Sequence, residues 1–313
     1  MATLRNIKER ILSISNTQKI TRAMKMVAAA KVKKAEAATK ASRPFASELY
    51  SMINVLLENI DTYFDSVKTE KQIDNYPELL KKRRVDAVGF LVISSNKGLA
   101  GAYSSNIVRY TVKKIKQALA EGKKVRVYLV GQKALAPLNG FKKSLDFEIV
   151  STYTTILDKL NASSASILAE DITHDYVTDK IDSLELITTR YKNMMTYKVE
   201  AWPILPLGGC GTRVTKFRDE DVNKKELHPL VELVPNPDVI LKTLIPMYFT
   251  NIIYQALLEA TASELASRMT AMSAAVNNAS EMIRMLTIDY NKARQAKITQ
   301  ELTEVISGAN AVQ

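Results

Sequence analysis

The residues that could do chemistry are few and scattered. A turn from Ser94 to Tyr103, Ser-Ser-Asn-Lys-Gly-Leu-Ala-Gly-Ala-Tyr, lies between a strand-like run and a helix-like run, where a doubly wound fold cradles phosphate groups. Its glycine spacing, Gly98-Leu99-Ala100-Gly101, matches neither GxGxxG nor the P-loop pattern. No acidic residue ends the following strand-like run, Val125 to Val130, to hold a ribose. The stretch therefore reads as a structural turn. The two histidines, His174 and His228, are far apart in sequence and suit solvated or capping roles rather than metal ligation. Cys210 is the sole cysteine, in a Gly208-Gly209-Cys210-Gly211 turn with no histidine close by in sequence to activate it. One cysteine forms neither an internal disulfide, nor a CxxC redox pair, nor a cysteine zinc site. Asn161-Ala162-Ser163 and Asn278-Ala279-Ser280 match the glycosylation pattern, but the charged start from Met1 to Asn6 offers no apolar export signal. The expectation is a chain with no catalytic residues, no cofactor and no metal.

The elements around these residues say more. With 313 residues, 46% of them hydrophobic, and a mean hydropathy of −0.10, the chain can bury one or two cores. No apolar run reaches the roughly 18 residues of a membrane span, so no direct span is expected. The net charge of +11 is unevenly spread. Residues 1–60 hold eleven Lys/Arg against four Asp/Glu, 61–235 hold twenty-seven against twenty-two, and 236–313 hold six against seven. A basic amino-terminal segment suits nucleic acid, an anionic membrane surface or an acidic protein partner.

Helix breakers are segregated. Nine of the ten glycines lie between Gly89 and Gly211, while Met1 to Arg43 and Met247 to Ser307 contain neither Gly nor Pro. Both ends read as long helices, the second roughly 90 Å long at 1.5 Å per residue. The carboxy-terminal stretch carries an apolar seam at Leu258, Leu265, Met272, Val276, Ala279, Ile283, Leu286, Tyr290 and Ala293, in steps of seven, four and three. The amino-terminal stretch answers with Leu4, Ile7, Ile11 and Ile14, then Ile20, Met24 and Val27, and later Leu49, Ile53, Leu56 and Ile60. The two helices are expected to pair in antiparallel, since the middle of the chain must return between them.

That middle alternates in type. Asp86–Ser94, Val125–Val130, Leu184–Tyr191 and Tyr197–Leu205 read as strands, and Ser104–Glu121, Gln132–Leu138 and Ala162–Val177 as helices. Strand–helix–strand order implies right-handed crossovers and a mainly parallel sheet. The fold class is thus α/β: a long antiparallel coiled coil formed by residues 1–60 and 236–313, plus a central Rossmann-like domain with its linkers over 61–235.

Two stretches carry a family resemblance. Ile7-Lys8-Glu9-Arg10-Ile11 followed by Asn16-Thr17-Gln18-Lys19-Ile20-Thr21-Arg22-Ala23-Met24-Lys25-Met26-Val27-Ala28-Ala29-Ala30-Lys31 resembles the start of the gamma subunit of bacterial-type F-type ATP synthases. Ala262 to Met272 and Tyr290 to Glu304 are similar to that family's carboxy-terminal signature. The Ser94–Tyr103 turn resembles the family's glycine turn, with Asn96 where an Asp is common and Ser104 where an Asn is expected.

The resemblance implies a central-stalk rotor inside a hexameric ring of alpha and beta subunits, with the α/β domain touching the epsilon subunit and the ring of c subunits. Ion-driven rotation would change the beta sites, and the gamma chain itself would be no enzyme. The complex would lie on the cytoplasmic face of an energy-transducing membrane as a peripheral assembly. By the same resemblance, Met24 and Lys25, with Arg22 extending a basic face, would meet an acidic loop of the beta subunit, and Arg294, Gln295 and Thr299 would engage a second beta loop. Two other classes compete. A Rossmann-type nucleotide-binding enzyme with a helical arm would need the Ser94–Tyr103 turn to hold a cofactor. A basic coiled coil binding nucleic acid would use Arg22 to Arg43, which lacks the aromatic residues that stack on bases.

Overall fold

The computed structural model describes residues 4–66, 78–81, 83–158, 160–191, 193, 196–207 and 237–312; the side chains of residues 50, 54–66, 237–239, 241 and 308–312 are outside that description. Several features named above therefore lie outside the described residues: the 208–211 turn with its cysteine, His228, and the side chains of Leu56 and Ile60.

The elements run α1 (Leu4–Ser66), β1 (Ala87–Ile93), α2 (Tyr103–Ala120), β2 (Lys124–Val130), α3 (Leu135–Phe141), β3 (Glu148–Tyr153), α4 (Ala162–Val177), β4 (Ser183–Tyr191), β5 (Tyr197–Leu205) and α5 (Pro237–Val312). Contacts divide the chain into two units, Met1–Ala30 with Arg268–Gln313, and Lys31–Ser267.

In the Lys31–Ser267 unit the sheet order is β3-β2-β1-β4-β5. Every neighbouring pair is parallel except β4 and β5, which are antiparallel. This is the strand order of a dinucleotide-binding half extended by an antiparallel edge strand, as a mainly parallel Rossmann-like domain requires. Strand β1, Ala-Val-Gly-Phe-Leu-Val-Ile, is buried at all seven positions because helices cover both faces. On one face α2 and α3 bring Ile107, Ile115 and Leu138 against Phe90, Val92 and Leu129. On the other, Leu168 and Ile172 of α4, Phe249 and Ile253 of α5, and Leu49 and Ile53 of α1 join Leu91 and Ile93.

Beneath α5 the packing is not wholly apolar. Asn251, Gln255, Glu259 and Ser263, four residues apart, form a buried polar stripe along the helix. Elsewhere Asp175 is buried and accepts hydrogen bonds from Tyr128 (2.7 Å) and Lys180 (2.8 Å). Burial alone would raise its carboxyl, but these bonds outweigh it and hold the group below the ordinary range. Arg83 locks the entry to the sheet. It pairs with Asp179 and Asp182, donates to the Tyr176 carbonyl and lies 4.4 Å over the Tyr176 ring.

Two features depart from the sequence reading, strand β3 and the register of the amino-terminal seam, and two prolines stand inside helices where propensity alone disfavours them. Strand β3 went unread although Glu-Ile-Val-Ser-Thr-Tyr is rich in β-formers; as an edge strand it is only half-buried and lacks a clean alternation. Pro44 and Pro246 do not end helices but lie inside α1 and α5. A proline costs about 3 kcal/mol within a helix, and the buried flanking side chains Thr39, Leu49, Ile245 and Tyr248 offset it. The amino-terminal seam is also shifted. Ile20 and Val27 are 64% and 56% exposed, whereas Leu4, Ile7, Ile11, Ile14, Gln18, Thr21, Lys25 and Ala28 are buried or half-buried. Alternating steps of three and four hold this stripe in register, and polar residues continue it where the apolar ones move off by one or two positions.

Candidate partner-contact surface of the terminal helices

The unit of residues 4–30 and 268–312 is an antiparallel helix pair. Gln18 sets its register: its side-chain amide donates to the Ser280 hydroxyl (2.6 Å) and to the Val276 carbonyl (3.4 Å), and the Ser280 hydroxyl donates to the same carbonyl (3.1 Å). Met272 and Val276 are buried, and Ala279, Ile283, Leu286, Tyr290 and Ala293 are the half-buried residues of an otherwise exposed stretch, so the carboxy-terminal seam lies where its spacing placed it.

Counting from Gln18, the first described turn of α1 at Leu4 falls opposite about residue 292 of α5. Ala293 is the last half-buried residue, and every residue from Arg294 to Ser307 is exposed. Past that point no described residue of α1 lies beside α5. The bare end still carries Ile298, Leu302 and Val305 at steps of four and three, beside Ile306, all more than half exposed. An apolar stripe at helical spacing with nothing on it marks a contact surface. The sequence reading missed it by ending the seam at Ala293, although the spacing was there to be read.

The candidate contact residues fall into two groups. Arg22 is exposed, and Met24 and Lys25 are half-buried, with Lys25 occupying a position of the packed stripe. Arg294, Gln295 and Thr299 are exposed, and the Thr299 hydroxyl donates to the Gln295 carbonyl (3.0 Å), leaving its oxygen free to accept. Met24 and Lys25 stand opposite about residue 271, so the groups are separated by roughly 34 Å along the pair at 1.5 Å per residue. The fold keeps them apart. Among the described residues, Arg22, Lys25 and Arg294 have no carboxylate within ion-pair distance, whereas Arg5, Arg284 and Lys297 pair with Glu9, Glu281 and Glu301 on the helix surface. The Arg284 hydrogen bond holds the exposed Glu281 carboxyl below its ordinary range. Basic groups without an internal partner are the ones available to an acidic loop.

In the Ser94–Tyr103 turn the Ser95 and Asn96 side chains are engaged within the fold, whereas the buried Ser94 hydroxyl has no hydrogen-bond partner. Ser95 Oγ donates to the Lys97 carbonyl (3.2 Å) and meets Ser104 Oγ at 2.7 Å. The Asn96 side chain accepts from the Gln132 amide (3.2 Å) and donates to the Thr154 carbonyl. Leu99 and Gly101 take φ of +63° and +58°, a conformation that closes the turn over β1. Asn161 caps α4, its Oδ1 accepting the Ser164 amide at 2.8 Å. Among the described residues no three His, Cys, Asp or Glu side chains group to hold a metal, and no helix is long and apolar enough to cross a membrane.

A doubly wound sheet in a chain whose terminal helices pair in antiparallel is the architecture of two solved assemblies. One is a chain of Euglena gracilis mitochondrial ATP synthase (OSCP/F1/c-ring), with a TM-score of 0.65 over 99% of this chain and 94% of that one at 18% identity. The other is a chain of the Tetrahymena thermophila mitochondrial ATP synthase central stalk and c-ring, with a TM-score of 0.58 over 82% and 99% at 26% identity. The fold is that of a central-stalk chain.

Sequence comparison is more specific. The ATP synthase family model matches residues 3–312. Gamma chains from Synechococcus sp. (strain JA-3-3Ab) and Nostoc punctiforme are 37% and 38% identical over 331 and 328 residues, and one from Leptospira biflexa is 36% identical over 312, each match covering the whole of both chains. The chain belongs to the ATP synthase gamma chain family.

Proposed function

We propose that this chain is the rotor shaft of an ATP synthase, a subunit without catalytic residues that couples ion-driven rotation of a c-ring to the beta sites of a ring of alpha and beta subunits, with epsilon held against its α/β unit. The complex lies peripherally on the cytoplasmic face of an energy-transducing membrane. The observation that carries this reading is the exposed end of α5, residues 294–307, which bears an uncovered apolar stripe beside Arg294, Gln295 and Thr299. A stiff helix of this kind, seated in a ring of three equivalent sites, presents a different face to each site. Those differential contacts shift each site toward a different conformation. The guanidinium of Arg294 and the amide of Gln295 donate to carbonyl or carboxylate oxygens of a beta loop, and the basic pair Arg22 and Lys25 faces an acidic loop of the same subunit at another height.

The test is Arg294→Ala combined with Gln295→Ala in a complex reconstituted with alpha and beta subunits. A charge-assisted hydrogen bond contributes about 1.5–3 kcal/mol, so loss of that contact in one rotary state alters its occupancy by tenfold or more. The subunit should fold and assemble normally while steady-state ATP turnover falls. Wild-type turnover in a fully assembled double variant would refute the contact.

A further inference from the structure

The glycine turn that resembles a phosphate loop has its polar groups turned to another use. Tyr103, the first residue of α2, is completely buried, and its hydroxyl donates to the Ala260 carbonyl of α5 at 3.0 Å. The same oxygen lies 3.1 Å from the buried Thr189 hydroxyl of β4, which donates to it, and the Tyr103 ring packs against Tyr197 of β5 at 5.4 Å between centroids. Three residues before Tyr103, the Ala100 carbonyl accepts the Tyr103 amide (3.2 Å) and also a hydrogen bond from the Ser267 hydroxyl of α5 at 2.7 Å. The two acceptor and donor sites on α5, Ala260 and Ser267, are seven residues apart and so lie on one face of the helix, two turns from each other. Ser267 is also the last residue of α5 in this unit.

The backbone of the turn explains why this arrangement needs its sequence. Leu99 is a non-glycine residue at φ +63°, and Gly101 follows at +58°. Two left-handed residues flank Ala100 and set the direction of its carbonyl, and a strained residue that persists is one that the surrounding contacts over-determine. Tyr103 is likewise held from three elements, α5, β4 and β5.

We propose that the Ser94–Tyr103 turn is a clamp on helix α5, with Tyr103 and Ser267 as positioning residues through which turning force passes between the helix and the sheet. This rests on the shaft reading above. A helix packed only by apolar side chains can rotate about its axis by sliding between neighbouring ridges at little cost. Two directional hydrogen bonds two turns apart resist that motion, because rotation about the axis breaks both together. The clamp stands at the place where α5 leaves the sheet, where a twisting helix would slip first.

The experiment uses Tyr103→Phe, Ser267→Ala and the double variant. Tyr103→Phe keeps the ring and its packing on Tyr197, so the fold has no reason to be lost. In the isolated chain, amide hydrogen exchange across residues 256–267 should accelerate about fivefold for each bond removed, with exchange in the β1 and β2 strands unchanged. In the reconstituted complex, the double variant should hydrolyse ATP at the wild-type rate without load, while a bead attached to the α/β unit shows a wider angular spread than wild type at the same rotary pause. Unchanged exchange would overturn the clamp. Faster exchange with a wild-type angular spread would reduce the two bonds to local stability and overturn their part in passing force. If the wild-type complex itself does not rotate the bead, the shaft reading fails, an outcome separable from failure of the clamp because it is seen without any substitution.

Discussion

Glu259 offers the most exacting test of the packing under α5. It is 4% exposed, its Oε2 has no hydrogen-bond partner, and it faces the guanidinium groups of Arg190 on β4 and Arg43 on α1 and the carboxylate of Glu200 on β5. Burial raises its carboxyl from 4.5 to about 7, with Arg190 and Arg43 opposing the rise and Glu200 adding to it. A gap of about 2.5 units at 1.36 kcal/mol each corresponds to about 3 kcal/mol of linkage. The folded state holds the proton more firmly than the unfolded chain, so this contribution to stability is fully present below pH 4.5 and is lost as pH rises through 7. Glu259→Gln removes the titration while keeping the shape. Urea unfolding of the isolated chain, followed by fluorescence of the single tryptophan Trp202, which is buried in the same core, reads the effect directly. Wild type and variant should differ by an amount that grows by about 2.5 kcal/mol in the variant's favour between pH 5 and pH 8. A difference that stays constant over that range would mean that the carboxyl titrates as in water, and the buried placement of Glu259 would be wrong.

Two further outcomes follow from individual positions. Gly131 has φ of +98°, and a Cβ there would lie 2.9 Å from the Ser94 carbonyl carbon, so Gly131→Ala should cost about 2 kcal/mol or more and lower the melting temperature of the unit by roughly 4–8 °C in a Trp202 fluorescence melt; a melt within 1 °C of wild type would refute it. Lys25→Glu reverses the charge at a half-buried position proposed to meet an acidic beta loop and should lower ion pumping per ATP in the assembled complex with little loss of assembly, whereas normal pumping efficiency would remove Lys25 from the proposed coupling surface.

Much of this protein was decided by local pattern. The run Ala-Val-Gly-Phe-Leu-Val-Ile reads as a buried strand, and the span 162–177 reads as a helix, as the structure has them. The glycine-free ends had to be helices, and steps of seven, four and three from Leu258 to Ala293 located the face that α5 buries. Two sequence signatures at opposite ends were enough to suggest the family. The tertiary structure decided what pattern leaves open. Hydrophobicity alone put Ile20 and Val27 in the amino-terminal seam, but the register is set by the Gln18 bonds to Val276 and Ser280, which lie 258 and 262 residues away in sequence. Helix breaking by Pro44 and Pro246 is a local tendency that packing on both sides overrides. Packing also decides the burial of the polar stripe from Asn251 to Ser263 and the use of Tyr103, whose hydroxyl meets α5 and β4 while its ring meets β5. Periodicity encodes which side of an element is buried because that is fixed within a few residues, while the identity of what lies opposite is a property of the whole chain.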